Sequence, residues 1–185
     1  MPLPDIPLTP EALDFRRRVL ARIDGRLAEV DRVPVGVLLW GPASDAETPL
    51  ATLRVSLRTR LRQDGHAAFF SEELCDPSKR FSVRLQQLAQ AQDFDLIVSL
   101  PCTPGSLGEI HDFAADRRVH AKLLVFLNQL HLEGYSAQSL QALSTILSCQ
   151  LEYYPNESEA GIIEARTLAE VQKIRELKYI LAGRY

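Results

Sequence analysis

Short apolar runs and longer stretches of three-and-four spacing take turns along this chain of 185 residues. The first helical stretch opens at Thr9, a natural N-cap, with Pro10 at the first helical position and Glu11 in the first turn. Leu13, Leu20, Ile23, Leu27 and Val30 then recur at helical spacing. The pattern predicts an amphipathic helix packed on the rest of the chain or on a second subunit, with Arg16, Arg17 and Arg18 in solvent. VPVGVLLW, Val33 to Trp40, is short and aliphatic and closes on Gly41-Pro42, which suits a buried strand and a turn. Leu50, Leu53, Leu57 and Leu61 then set a helix from Pro49 to Gln63 that Asp64-Gly65 stops.

The alternation continues. HAAFF, His66 to Phe70, is a short strand; SEELCDPSKR reads as a polar loop before a helix carrying Phe81, Leu85 and Leu88. Phe94 to Leu100 and Ala121 to Asn128 are further strands, separated by a helix that turns Ile110, Phe113 and Ala114 inward. Ser136 caps a helix with Leu140, Leu143 and Leu147, CQLEYY supplies a fifth strand, and Leu168, Val171, Ile174, Leu177 and Leu181 mark a last helix. Strands that alternate with helices and are apolar on both faces predict a parallel sheet covered on each side. The expected fold is α/β: a flavodoxin-like, doubly wound five-stranded parallel sheet of order 2-1-3-4-5 over residues 33–185, with residues 1–32 as an N-terminal helical extension. In that order the first and third strands are neighbours whose following helices leave toward opposite faces, opening a crevice beyond their carboxyl ends. The loops after Trp40 and after Leu100 are thus where a site is expected.

Composition narrows the function classes. With 21 basic and 24 acidic residues the net charge is −3, which supplies no global attraction for nucleic acid or anionic lipid. No apolar run reaches a bilayer-spanning length and Met1 to Pro10 lacks a secretory pattern, so a cytoplasmic protein away from membranes is expected. Cys75, Cys102 and Cys149 form no CxxC pair, and His66, His111, His120 and His131 have no shared helical face, so neither a disulfide framework nor a metal site is predicted. No cofactor is implied.

SLPCTPGSLGEIHDFA, Ser99 to Ala114, holds the most pointed chemistry. Ser106-Leu107-Gly108-Glu109 fits a capping box, in which Glu109 reaches back to the amide of an N-cap Ser106. The same glutamate stands beyond the third strand, beside Gly105 and Gly108, which allow close backbone approach, and first-turn amides that can meet a phosphate or ribose oxygen. Cap partner and catalytic carboxylate are both open readings. Neither a Walker A lysine nor a GxGxxG fingerprint is present. Cys102 with His111 is a further pair with nucleophile and base chemistry.

VGVLLWGPAS with LRQDGHAAFFSEEL, followed by DFDLIVSLPCTPGSLGEIHDFA, resembles the nucleoside 2-deoxyribosyltransferases and the related TIR-like N-glycosidases. The resemblance runs from Val35 to Ala114. It implies that Glu109 is the catalytic glutamate that meets the anomeric carbon as the bond to a base breaks. It further implies that Gly41, Pro42 and Ser44 form the first-strand loop of the ligand site, and that Gly105 and Ser106 hold sugar or phosphate; Trp40 stands where the family has a small residue, placed either to stack on a base or to fill the entrance. Ser71 and Glu72 stand at the same sheet edge, within reach of ribose hydroxyls, and Tyr135 lies beyond the fourth strand. The implied substrate is a nucleoside, nucleotide or NAD-like molecule, and such domains also serve as toxins or anti-phage effectors. A nucleotide-binding sensor without chemistry, a TIR-like interaction module and a homo-oligomer are the other expectations.

Overall fold

Five strands, β1 (Gly36–Trp40), β2 (Ala67–Phe70), β3 (Leu96–Ser99), β4 (Leu123–Asn128) and β5 (Gln150–Tyr154), form one all-parallel sheet of order β2-β1-β3-β4-β5. The computed structural model describes residues 7–131, 138, 139, 141, 142, 145, 148–156 and 161–182. The helices are α1 (Pro10–Val30), α2 (Pro49–Gln63), α3 (Ser71–Leu74), α4 (Val83–Asp93), α5 (Pro104–Ala114) and α6 (Gly161–Ala182). The predicted flavodoxin-like α/β fold is the observed one. The helix expected after Ser136 falls mostly outside the described residues.

Strand side chains alternate between two cores. Val37 and Leu39 of β1, Leu96 and Val98 of β3, and Leu124 and Phe126 of β4 join Leu50, Leu57 and Leu61 of α2 and Ile163 and Val171 of α6. Leu38, Trp40, Ile97, Val125 and Leu127 instead meet Ala91 of α4 and Ile110, Phe113 and Ala114 of α5. Period-two alternation in strands buried on both faces requires apolar residues at every position, which is why Val37 to Trp40, Leu96 to Val98 and Leu123 to Leu127 show no polar gaps; the edge strand β5, with Gln150 and Glu152, is only half-buried except at Tyr154. β1 and β3 are also tied at their amino ends, where the Gly36 amide donates to Asp95 Oδ2 at 2.7 Å.

Helix ends follow the local chemistry. Thr9 Oγ1 accepts from the Ala12 amide and Pro10 opens α1, as its sequence predicts. α2 closes in a Schellman turn: His66 N–H reaches Leu61 O, Gly65 N–H reaches Arg62 O, and Gly65 takes a φ of +84°. Two expectations are corrected here. Ser71 to Leu74, read as loop, forms a single helical turn directly after β2, where Glu73 Oε2 accepts from the Phe70 amide at 2.8 Å. Phe81 precedes α4 and is exposed, as is Leu85, because the buried side of that helix carries Ala91 with Leu88 packed beside it.

By its contacts the chain separates into Met1–Val33 with Arg175–Tyr185, and Pro34–Ile174. In the first of these, Tyr179 Oη donates to Glu29 Oε2 at 3.1 Å and Arg175 Nε donates to Val33 O at 3.3 Å. Among the described residues, Leu13, Leu20, Ile23 and Leu27 of α1 remain 43–60% exposed, whereas Val30 at the end of the expected apolar stripe is buried. No described helix is long and apolar enough to cross a membrane.

Candidate functional site

Beyond the carboxyl ends of β1 and β3 lies a cleft of about 180 Å³. Its walls combine the strand ends (Trp40, Gly41, Ser99), the turn after β2 (Ser71, Glu72) and the first turns of α5 (Ser106, Glu109, Ile110). This is the position where helices leaving opposite faces open a parallel sheet. Gly41 permits the close fit: a Cβ there would stand 3.1 Å from Leu100 Cβ and 3.3 Å from Arg54 Cδ.

The floor is held by Arg54 of α2, whose side chain is only 1% exposed. Its Nη1 and Nη2 each donate at 2.7 Å to one carboxylate oxygen of Glu72, a two-pronged pair. The same nitrogens reach Pro42 O and Leu39 O, also at 2.7 Å, locking the end of β1 and the turn after it. The guanidinium also lies 4.2 Å from the Phe70 ring centroid. Burial pushes the Glu72 carboxyl up, but the hydrogen bonds from Arg54, a backbone bond and the charges of Arg54 and Arg58 outweigh it and hold the group below its usual range.

Glu109 is placed differently from the cap reading. α5 begins at Pro104, so Thr103 is the N-cap: Thr103 Oγ1 accepts from the Ser106 amide at 3.1 Å, and Ser106 Oγ accepts from the Thr103 amide at 3.0 Å. Ser106 is therefore the third helical residue and not the cap, and Glu109, a turn further along, has no part in the box. Pro104 fixes this register, since its locked φ suits the first helical position and its missing N–H costs nothing there. The Glu109 side chain is exposed, lines the cleft and makes no hydrogen bond or ion pair among the described residues.

Ser106 Oγ, expected to hold sugar or phosphate, already receives the Cys102 amide at 3.1 Å and donates to Thr103 O at 2.8 Å. Trp40 packs on Phe113 with ring centroids 4.6 Å apart, yet its indole also lines the cleft. Its Nε1, like Arg54 Nε, is buried without a hydrogen-bond partner among the described residues. Ser71 Oγ donates to Gln90 Oε1 at 2.9 Å, and Gln90 Nε2 in turn reaches Cys75 Sγ at 3.2 Å.

The cleft thus brings together Trp40, Gly41, Ser71, Glu72, Ser106 and Glu109 of the predicted set. Pro42 contributes through its carbonyl to Arg54, while Ser44 and Gly105 are exposed and do not line the cleft. Cys102 and His111 are likewise absent from its walls. Tyr135 lies outside the described residues. Arg54, Cys75, Gln87 and Ser99 line it without having been singled out. For Arg54 a signal existed: it falls on the apolar stripe of Leu50, Leu57 and Leu61, and a charge on that stripe must be paired.

Arg54, Glu72 and Glu109 are the formally charged lining residues. The first two neutralise each other, leaving the Glu109 carboxylate as the uncommitted charge. Among the described residues no group of three or more His, Cys, Asp or Glu is placed to hold a metal ion. No protein-family model and no curated protein sequence matches this chain.

Proposed function

We propose that the chain cleaves or transfers the N-glycosidic bond of a nucleoside, nucleotide or NAD-like molecule, with Glu109 as its essential carboxylate. The observation that carries this reading is the release of Glu109 from the helix cap into a cleft at the β1–β3 crevice. A carboxylate beside C1′ stabilises the positive charge that builds on the sugar as the bond to the base breaks. In a covalent route Glu109 Oε forms a bond to C1′, and the base departs with the bonding electron pair and takes up a proton. Water or a second acceptor then attacks C1′ and returns the carboxylate. The committed Arg54–Glu72 pair and the lack of another cation among the described lining residues favour the sugar and base as the part that enters. The cleft lies below the roughly 300–1,000 Å³ of sites that enclose a whole ligand, so the remainder of a larger substrate stays outside.

A second reading, a sensor that binds such a ligand without chemistry, draws on the engagement of Ser106 in the cap and of Trp40 with Phe113. Both readings are separated by incubating the full chain with a panel of nucleosides, nucleotides and NAD and following free base by chromatography. Base release that is lost in Glu109→Gln supports the enzyme; thermal stabilisation by a ligand that is recovered intact supports the sensor. Release undiminished in Glu109→Gln overturns the assigned role.

A further inference from the structure

Along α1, Leu13, Leu20 and Leu27 stand seven residues apart, and Arg16, Ile23 and Val30 form a second row of seven, offset by three. That 3.5-residue period is the seam of a helix pair. Leu20 is 46% exposed, Ile23 43% and Leu27 60%, and in the same helical unit Leu177, Ile180 and Leu181 of α6 are open to a similar degree. The charges beside the seam are not uniform: Arg17 and Asp24, one heptad apart on one flank, are opposite in sign.

We propose that two copies of the chain associate through antiparallel pairing of α1 about a two-fold axis between Ala21 and Arg22. In this register Leu20 of each copy meets Ile23 of the other, twice by symmetry, at the centre of the seam. Leu27 lies under the aliphatic stem of Arg16, whose guanidinium reaches solvent. Arg17 falls opposite Asp24 of the other copy, twice by symmetry. Parallel pairing is disfavoured because it stacks Arg16 on Arg16 within the seam. A membrane surface is the weaker occupant, since Pro10–Val30 carries five arginines against four acidic residues and so little net attraction for anionic lipid.

Sedimentation velocity of the full chain, from about 1 to 100 µM, tests the pairing. The expected result is a species of two chains. Leu20→Asp with Ile23→Asp is expected to give one chain with unchanged helix content. Arg17→Asp is expected to weaken association by roughly three- to tenfold, and Arg17→Asp combined with Asp24→Arg to restore it. The charge variants leave the apolar seam intact, so they decide the matter even where aspartate in the seam unfolds α1. A single chain at every concentration, a dimer indifferent to these changes, or a monomer that sediments with phosphatidylserine vesicles overturns the proposal.

Discussion

At position 54 the inward stripe of α2 carries a guanidinium among leucines, and the surroundings are built to hold it. The Leu39 carbonyl in β1, the Pro42 carbonyl in the turn after it and both oxygens of Glu72 accept from it. Removing a buried charge partner leaves unpaired groups behind, which costs more than the pair itself contributes. Arg54→Met is therefore expected to lower stability by about 2–4 kcal/mol, read from urea unfolding. The stripe position of Arg54 was visible in the sequence, but its partner was not, since Glu72 comes from a different element and meets Arg54 only when β2 lies beside β1. Glu109 was legible as an acidic residue beyond β3; its freedom from the cap depended on which hydroxyl starts the helix.

That choice belongs to the element. CTPGSLGE offers two caps, Ser106 with Glu109 and Thr103 with Ser106, and the rule for S-x-x-E alone favours the first. Pro104 favours the second, because it sits best one residue inside a helix and is poorly suited to a place two residues before the cap of a neighbouring one. Thr103→Ala is expected to cost about 1 kcal/mol of stability, whereas Glu109→Ala is expected to be neutral within about 0.5 kcal/mol. Equal losses in thermal or urea unfolding contradict the assigned register. Elsewhere the termini of α1 and α2 followed their sequence signals because proline, threonine and glycine act locally. The turn of helix at Ser71 to Leu74 carried no such signal: it is too short for an apolar period and is held by Glu73 on the Phe70 amide and by its ion pairs with Arg58 and Arg62.

At the scale of the whole molecule, strand order was legible because short strands alternating with helices, with the central ones apolar on both faces, leave few topologies, and the β1–β3 crevice follows from that order. The open apolar side of α1 was not legible, as helical spacing says which face is apolar and not what covers it. Acid stability is a property of the same scale. Hydrogen bonds from the Arg118 side chain and backbone, with the Arg118 charge, hold the Asp116 carboxyl down at about 2. A carboxyl lowered on folding contributes stability above its unfolded pKa and loses it as pH falls through the folded value. The Asp116 contribution is thus complete above about pH 4 and disappears toward pH 2. Asp116→Asn is expected to flatten that part of the stability–pH curve; an unchanged slope there contradicts the assignment.

We propose that the carboxylate left free of the α5 cap performs glycosidic chemistry in the crevice. Its most direct measurement is the rate of base release, under saturating substrate, by the wild-type chain and by Glu109→Gln with matched thermal unfolding. The expected result is a fall in kcat of about 100-fold or more with little change in melting temperature. A variant that keeps its rate within about threefold contradicts it.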